Sequence, residues 1–211
     1  MSVAIIDYGV GNLFSLASSL HYLGVEAKVT AKAADLQAAD RLILPGVGAF
    51  GDAAAKLRES GLFEVVRQQA AAGKPLLGIC LGMQLLFDKS LEYGEHAGLG
   101  LIGGTVGALQ PDLSAYASTE SSFGLKVPHI GWNSLHILRD DPLFRYFKDG
   151  EYVYYVHSYY AKNCEADTLA VSDYGLPVTG VVRRGSVWGT QFHPEKSGAA
   201  GLRLLQAFAE I

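Results

Sequence analysis

The run Pro75-Leu76-Leu77-Gly78-Ile79-Cys80-Leu81-Gly82-Met83-Gln84 constrains this chain more than any other stretch. A short apolar strand, Leu76–Ile79, meets a helix start, with a cysteine at the junction and a glycine two residues to either side. Gly-x-Cys-x-Gly in that position is the cysteine form of a nucleophile elbow, a turn found in α/β sheets. It holds Cys80 in a strained backbone conformation, while Gly78 and Gly82 let neighbouring chain pass without Cβ clashes. The sulfur then sits at a helix N-terminus, where free N–H groups and the helix dipole favour a thiolate and an adjacent oxyanion. The local sequence leaves a second reading open, a buried structural cysteine, which is the common fate of a free thiol.

The first 90 residues alternate strand and helix signals. Val3–Ile6 is an apolar run ending at Asp7. Asn12 is placed to cap a helix whose Leu13, Leu16, Ala17, Leu20 and Leu23 follow the i, i+3, i+4, i+7 spacing, with Gly24 ending it. Val25–Thr30 and Arg41–Leu44 read as strands, and residues 49–58 and 62–72 as helices, before the strand at Leu76–Ile79. Apolar strands between amphipathic helices predict a parallel sheet covered on both faces. The second half is strand-rich, at Leu101–Leu109, Ser134–Leu138, Tyr152–Val156, Leu169–Ser172, Val178–Arg183 and Val187–Gln191, with a hairpin turn at Gly185-Ser186. Ser197–Ile211 returns to a helix, with Leu202, Leu205, Phe208 and Ala209 inward. The expected fold is therefore α/β: an open, mostly parallel mixed sheet flanked by helices, with antiparallel strands added in the second half. The polar, Ser-rich Gln110–Gly124 stretch is expected to be a flexible loop, too short to link domains, so 1–211 reads as one domain.

Composition narrows the function. Apolar residues make up 49% and charged residues 18%, as in a protein with a full core. The net charge of −4, without a basic block, gives no electrostatic case for nucleic acid. Cys80 and Cys164 are the only cysteines, which argues against a secreted disulfide framework and for a reducing, cytoplasmic setting for a working thiol. The N-terminus lacks the basic and apolar regions of a signal peptide, and no apolar run approaches the ~18 residues that span a bilayer. No membrane contact is expected.

A thiol nucleophile needs a base, and the base needs an orienting group. His193 lies in Thr190-Gln191-Phe192-His193-Pro194-Glu195, just after a strand. An extended His-x-Glu puts both side chains on one side, roughly 6–7 Å apart at Cα, so that Glu195 holds one imidazole nitrogen while the other faces a thiol. Taken alone, the segment also reads as a surface loop; the cysteine elbow at the carboxyl end of another strand favours the chemical reading. His157 follows Val153–Val156 and is placed to line a cleft. His21 reads as solvent-facing or structural, His96 has no evident partner, and Cys164 is given no role. Gly9-Val10-Gly11-Asn12 lacks the third glycine of a dinucleotide loop, and Thr30 stands where the ribose-binding acid belongs. Pro45-Gly46-Val47-Gly48-Ala49-Phe50 follows the third strand, where its N–H groups either face the carbonyl attacked by Cys80 or form an ordinary turn. No metal site or cofactor motif stands out.

Gly78-Ile-Cys80-Leu-Gly82-Met-Gln84, the Pro45–Gly48 loop and His193-Pro194-Glu195 together resemble the class I (triad) glutamine amidotransferases, a flavodoxin-like α/β family. Ile6–Leu13, Leu44–Phe50, Pro128–Asn133, Val156–Tyr160 and Gly189–Ser197 extend the likeness over nearly the whole chain. Ile130, where Met is more usual in the family, is the one small departure. The resemblance implies that Cys80 attacks the side-chain amide of L-glutamine, that His193 moves the proton, and that Glu195 orients His193. It places the oxyanion at the Leu81 N–H and an N–H of Val47–Gly48, in a loop that acts as a switch under a partner's control. Gly48, Gln84, Ser158 and Tyr159 would contact glutamine. His157 would lie near the site without being the base. The released ammonia would pass to a (β/α)8-barrel cyclase, expected on a separate chain because such a barrel needs ~250 residues. Asn12, Trp132 and Lys196 are candidates for the docking face; core packing for Trp132 and a solvated charge for Lys196 are the alternatives. A sibling branch that feeds ammonia to another synthase, such as a surface-polysaccharide sugar-modifying enzyme, would carry the same triad.

Overall fold

A computed structural model describes residues 1–116 and 125–211. The first half winds as β1 (Ser2–Ile6), α1 (Leu13–Tyr22), β2 (Glu26–Thr30), α2 (Ala33–Ala38), β3 (Arg41–Leu44), α3 (Phe50–Glu59), α4 (Leu62–Ala71), β4 (Leu76–Ile79) and α5 (Leu81–Leu85). The second half adds β5 (Phe87–Ser90), β6 (His96–Ala97), β7 (Ile102–Ala108), α6 (Leu109–Tyr116), β8 (His129–Ser134), β9 (His136–Ile137), β10 (Tyr152–His157), β11 (Tyr159–Lys162), β12 (Thr168–Asp173), β13 (Pro177–Arg184), β14 (Val187–Thr190) and α7 (Gly198–Glu210). The main sheet runs β2-β1-β3-β4-β14-β13-β12-β9. Its pairs from β2 through β14 are parallel and the remaining three antiparallel, which is the mixed open sheet expected.

Alternation along the central strands builds a core on each face. Ala4, Ile6, Leu42, Leu44 and Leu76 face α3 and α4 residues such as Phe50, Leu57 and Val66. Val3, Ile5, Ile43, Leu77 and Ile79 face Leu16 and Leu20 of α1 and Leu204, Leu205 and Phe208 of α7. On α7 the inward stripe is Gly201, Leu204, Leu205 and Phe208; Leu202, expected inward, is only half-buried, because the i, i+3, i+4, i+7 set starts one residue earlier. Asn12 precedes α1 without a side-chain capping bond. The short α2 buries only Leu36, too little periodicity for sequence to register.

Not every late strand joins the main sheet. β7 lies in a separate four-stranded sheet, β11-β7-β5-β6, and β10 pairs only with β8. The expected strand Ser134–Leu138 is divided: β8 ends at Ser134, Leu135 is fully buried, and β9 keeps two residues. β8 itself hides from an apolar-in pattern because Ile130 and Trp132 face outward, 59% and 55% exposed. Residues 110–116 of the expected flexible loop are helical in α6; the rest of that stretch, 117–124, lies outside the described residues. Among the described residues no helix is long and apolar enough to cross a membrane.

Two features of the fold set up the site. Cys80 follows β4 with φ 54° and ψ −112°, and α5 passes so close to β3 that a Cβ on Gly82 would lie 1.8 Å from the Leu44 carbonyl oxygen. At the end of the β8–β10 ribbon, His129 and His157 sit directly across from each other, with Nδ1 of His129 2.9 Å from Nε2 of His157. His129 stacks between Tyr155 and Tyr174. Burial pushes His129 down to about 4; burial, reinforced by His129, pushes His157 down to about 3.

Gly82→Ala is expected to cost at least about 1–3 kcal/mol in chemical denaturation, since backbone rather than a side-chain tip must move; a denaturation midpoint equal to wild type would refute the close approach. The histidine pair predicts acid sensitivity. Both rings titrate near 6.5 in the unfolded chain, which takes up protons the fold refuses. The pair's contribution to stability is therefore intact above about pH 6.5 and lost as pH falls toward about 4 and 3, each ring approaching about 1.4 kcal/mol per pH unit. His129→Phe, which keeps a ring between the two tyrosines, should lose stability less steeply than wild type from pH 6.5 to 4.5 in urea titrations. Parallel slopes would contradict the assignment.

Candidate active site

The carboxyl ends of β3, β4 and β14 lie side by side, so three separate sequence segments converge. The Pro45–Ala49 loop leaves β3, Cys80 leaves β4, and Gln191–His193 leave β14. The strained Cys80 backbone is held by its N–H, which donates to the Thr190 carbonyl at 2.7 Å. Its sulfur is nearly buried, 4.0 Å from the Val156 carbonyl oxygen and 3.9 Å from Gln191 Nε2. Leu81 opens α5, so its N–H has no partner within the helix.

His193 Nδ1 lies 2.8 Å from Glu195 Oε1, and both side chains are 3% exposed. The segment is not extended as expected: only His193 keeps β-region angles, and Pro194–Lys196 form a 3-10 turn. The fixed φ of Pro194 suits the first position of such a turn, which brings Glu195 back over the imidazole without the alternation of a strand. The turn is braced from three sides. The His193 N–H donates to the Tyr154 carbonyl at 3.0 Å, Ser197 Oγ donates to the His193 carbonyl at 2.7 Å, and α7 approaches so closely that a Cβ on Gly201 would meet the Pro194 carbonyl oxygen at 1.9 Å. Burial opposes a charge on His193, but contacts with Cys80 and Glu195 outweigh it and push its pKa up to about 10. Because Glu195 occupies Nδ1, Nε2 is the ring nitrogen left for Cys80. Among the described residues, the second Glu195 oxygen is buried without a hydrogen-bond partner.

Cys80 and His193 open into a cleft of about 400 Å³. The sequence-predicted Val47, Gly48, Leu81, Gln84, Ser158 and Tyr159 all line it. Lys196 stands exposed at its rim. Glu195 lies behind His193, in a crevice it shares with Asn12. Trp132 is away from the cleft and, being 55% exposed, is not the core residue that one reading of the sequence allowed. The Gln84 amide is committed: Nε2 donates to the Tyr159 carbonyl at 2.9 Å and to Gln191 Oε1 at 3.1 Å.

Three residues escaped sequence reasoning. Glu92 is buried at the cleft wall, with one carboxylate oxygen accepting the Phe50 N–H at 2.6 Å. Nothing in Leu91-Glu92-Tyr93-Gly94-Glu95 singles it out from Glu95. Gln191 carries a signal, its place two residues before His193. Tyr8 donates its phenol hydrogen to the Pro45 carbonyl at 2.8 Å; burial, and secondly the neighbouring Cys80, push its pKa well above the usual tyrosine range.

A thiol beside a buried imidazole, an imidazole oriented by a carboxylate, and unpaired N–H groups at a helix start are the parts of a cysteine acyl-transfer site. The comparisons agree with that chemistry. Residues 4–210 match the family described as glutamine amidotransferase class-I. The imidazole glycerol phosphate synthase subunit HisH of Lacticaseibacillus casei is 50% identical over 99% of this chain and 95% of its own length. That of Wolinella succinogenes is 47% identical over 99% of each. Among solved structures, a glutamine amidotransferase superposes with a TM-score of 0.74 at 23% identity over 99% of this chain and 97% of its own. The fold, the site and these likenesses together place the chain in the class I glutamine amidotransferase family, among the glutaminase subunits of imidazole glycerol phosphate synthase.

Proposed function

We propose that Cys80, His193 and Glu195 are the catalytic triad by which this glutaminase subunit splits L-glutamine into L-glutamate and ammonia. His193, held by Glu195 and lining one cleft with Cys80, is the observation that carries the reading. The Cys80 sulfur attacks the glutamine side-chain carbonyl while His193 Nε2 takes the thiol proton. The oxyanion that forms is met by the Leu81 N–H, and an N–H of the Val47–Gly48 loop completes the hole once aimed at it. His193 returns the proton to the departing nitrogen, which leaves as ammonia, and a γ-glutamyl thioester remains. Water, losing a proton to His193, then releases glutamate and frees the thiol.

Substrate recognition follows from charge. Glutamine presents an ammonium and a carboxylate at its far end. The Glu92 carboxylate on the cleft wall suits the ammonium, and the backbone at Ser158–Tyr159 suits the carboxylate. The ammonia goes to a (β/α)8-barrel cyclase on a separate chain. There it enters the step yielding imidazole glycerol phosphate and aminoimidazole carboxamide ribotide in histidine biosynthesis. Asn12, Trp132 and Lys196 belong to the docking face. Support for it is the ribbon on which Ile130 and Trp132 of β8 lie across from Val156 and Tyr154 of β10, with Trp132 edge-on to Tyr154.

Cys80→Ala, assayed in the complex with the cyclase, is expected to lower glutamine-dependent turnover at least ~10³-fold while ammonium salts still drive product formation. Loss of both activities, or of neither, would overturn the mechanism. Glu92→Gln keeps an acceptor for the Phe50 N–H and removes the charge. It should raise KM for glutamine about 10–100-fold, as for a charge-assisted hydrogen bond, and an unchanged KM would remove Glu92 from the substrate site.

A further inference from the structure

His157 lines the cleft beside the triad, yet the reaction described above gives it no proton to carry. Its surroundings assign it another task. β10 ends at His157 and β11 begins at Tyr159, so Ser158 alone carries the chain from the ribbon with β8 into the sheet with β7. That crossing is held from two sides. The Ser158 carbonyl accepts the Leu109 N–H at 2.9 Å. The Tyr159 carbonyl accepts Gln84 Nε2 at 2.9 Å and meets His157 Nδ1 at 3.0 Å.

The hydrogen positions follow by elimination. A carbonyl only accepts, so His157 Nδ1 carries the hydrogen. Burial keeps the ring neutral, which leaves Nε2 bare and able to accept from His129 Nδ1 at 2.9 Å. His129, clamped between Tyr155 and Tyr174, fixes that arrangement from behind. A neutral His157 also avoids repelling the imidazolium form of His193.

We propose that His157, backed by His129, is a positioning residue for glutamine binding: its Nδ1–H fixes the Tyr159 carbonyl and so sets the Ser158–Tyr159 backbone against which the substrate lies. This rests on the proposed placement of glutamine in the cleft. Gln84 holds the same carbonyl, so loss of His157 loosens the crossing without freeing it.

The test uses the full chain in complex with the cyclase and L-glutamine as the varied substrate. His157→Leu should raise KM for glutamine about 5- to 30-fold, with kcat within about threefold, the range expected for one lost hydrogen bond. His157→Asn, whose Nδ2–H takes the place of Nδ1–H, should recover most of that loss. In ¹⁵N spectra of the wild-type chain, both rings should be neutral Nδ1–H tautomers at pH 7. Equal impairment in H157L and H157N, a fall in kcat without a rise in KM, or an Nε2–H tautomer at His157 would each overturn the proposal. Should H157L fail to fold, H157N and the tautomer decide. Absence of glutamine hydrolysis in the wild-type complex would overturn the glutaminase reading and this one together, whereas an unchanged KM in H157L overturns this one alone.

Discussion

The contact between α5 and the end of β3 is the constraint on which the rest depends. Gly82 lies against the Leu44 carbonyl, and a Cβ on Gly46 would in turn meet the Gly82 nitrogen at 2.7 Å. These approaches draw the loop after β3 over the helix that Cys80 caps. Without them the thiol would still sit at a helix start, but nothing would bring a second set of backbone N–H groups to its side. The positive φ of Cys80 is the local cost of this arrangement, met by burial of Ile79 and Leu81 on either side.

Around that contact the protein sorts its histidines by charge state. His193 lies within reach of a thiol and a carboxylate and is driven toward the cation. His129 and His157, on the β8–β10 ribbon, are set against each other and aromatic rings, with a carbonyl on His157, and are driven toward neutrality. The difference lies in partners, since all three are buried. One is therefore suited to moving a proton, and the other two to holding a shape.

Apart from the short α2, the parallel half of the fold was legible because its strands and helices carry their own apolar signals; Arg41–Leu44 and Leu76–Ile79 match the sequence reading to the residue. The Cys80 elbow and the His193–Glu195 pairing were legible for the same local reason. What sequence lacked was three-dimensional bookkeeping. Ile130 and Trp132 break the apolar-in rule for β8, so it could not be seen as a strand. Residues 194–196 form a turn, not a strand, because a proline's φ serves either conformation. Glu92 reaches the cleft only through the fold, some forty residues away from the helix start it caps.

The loop after β3 is fastened at both ends. Tyr8 holds the Pro45 carbonyl, and Glu92 holds the Phe50 N–H. Gly46, pressed against α5, has no room to turn, whereas Gly48, at φ 90°, has open space where a Cβ would be. The Val47–Gly48 peptide is thereby the least enclosed part of the loop, lying between a fastened start and a fastened end. Val47, 42% exposed, puts that peptide on the solvent side of the cleft, while the strand ends at Leu44 and Thr190 and the Cys80 thiol are buried behind it.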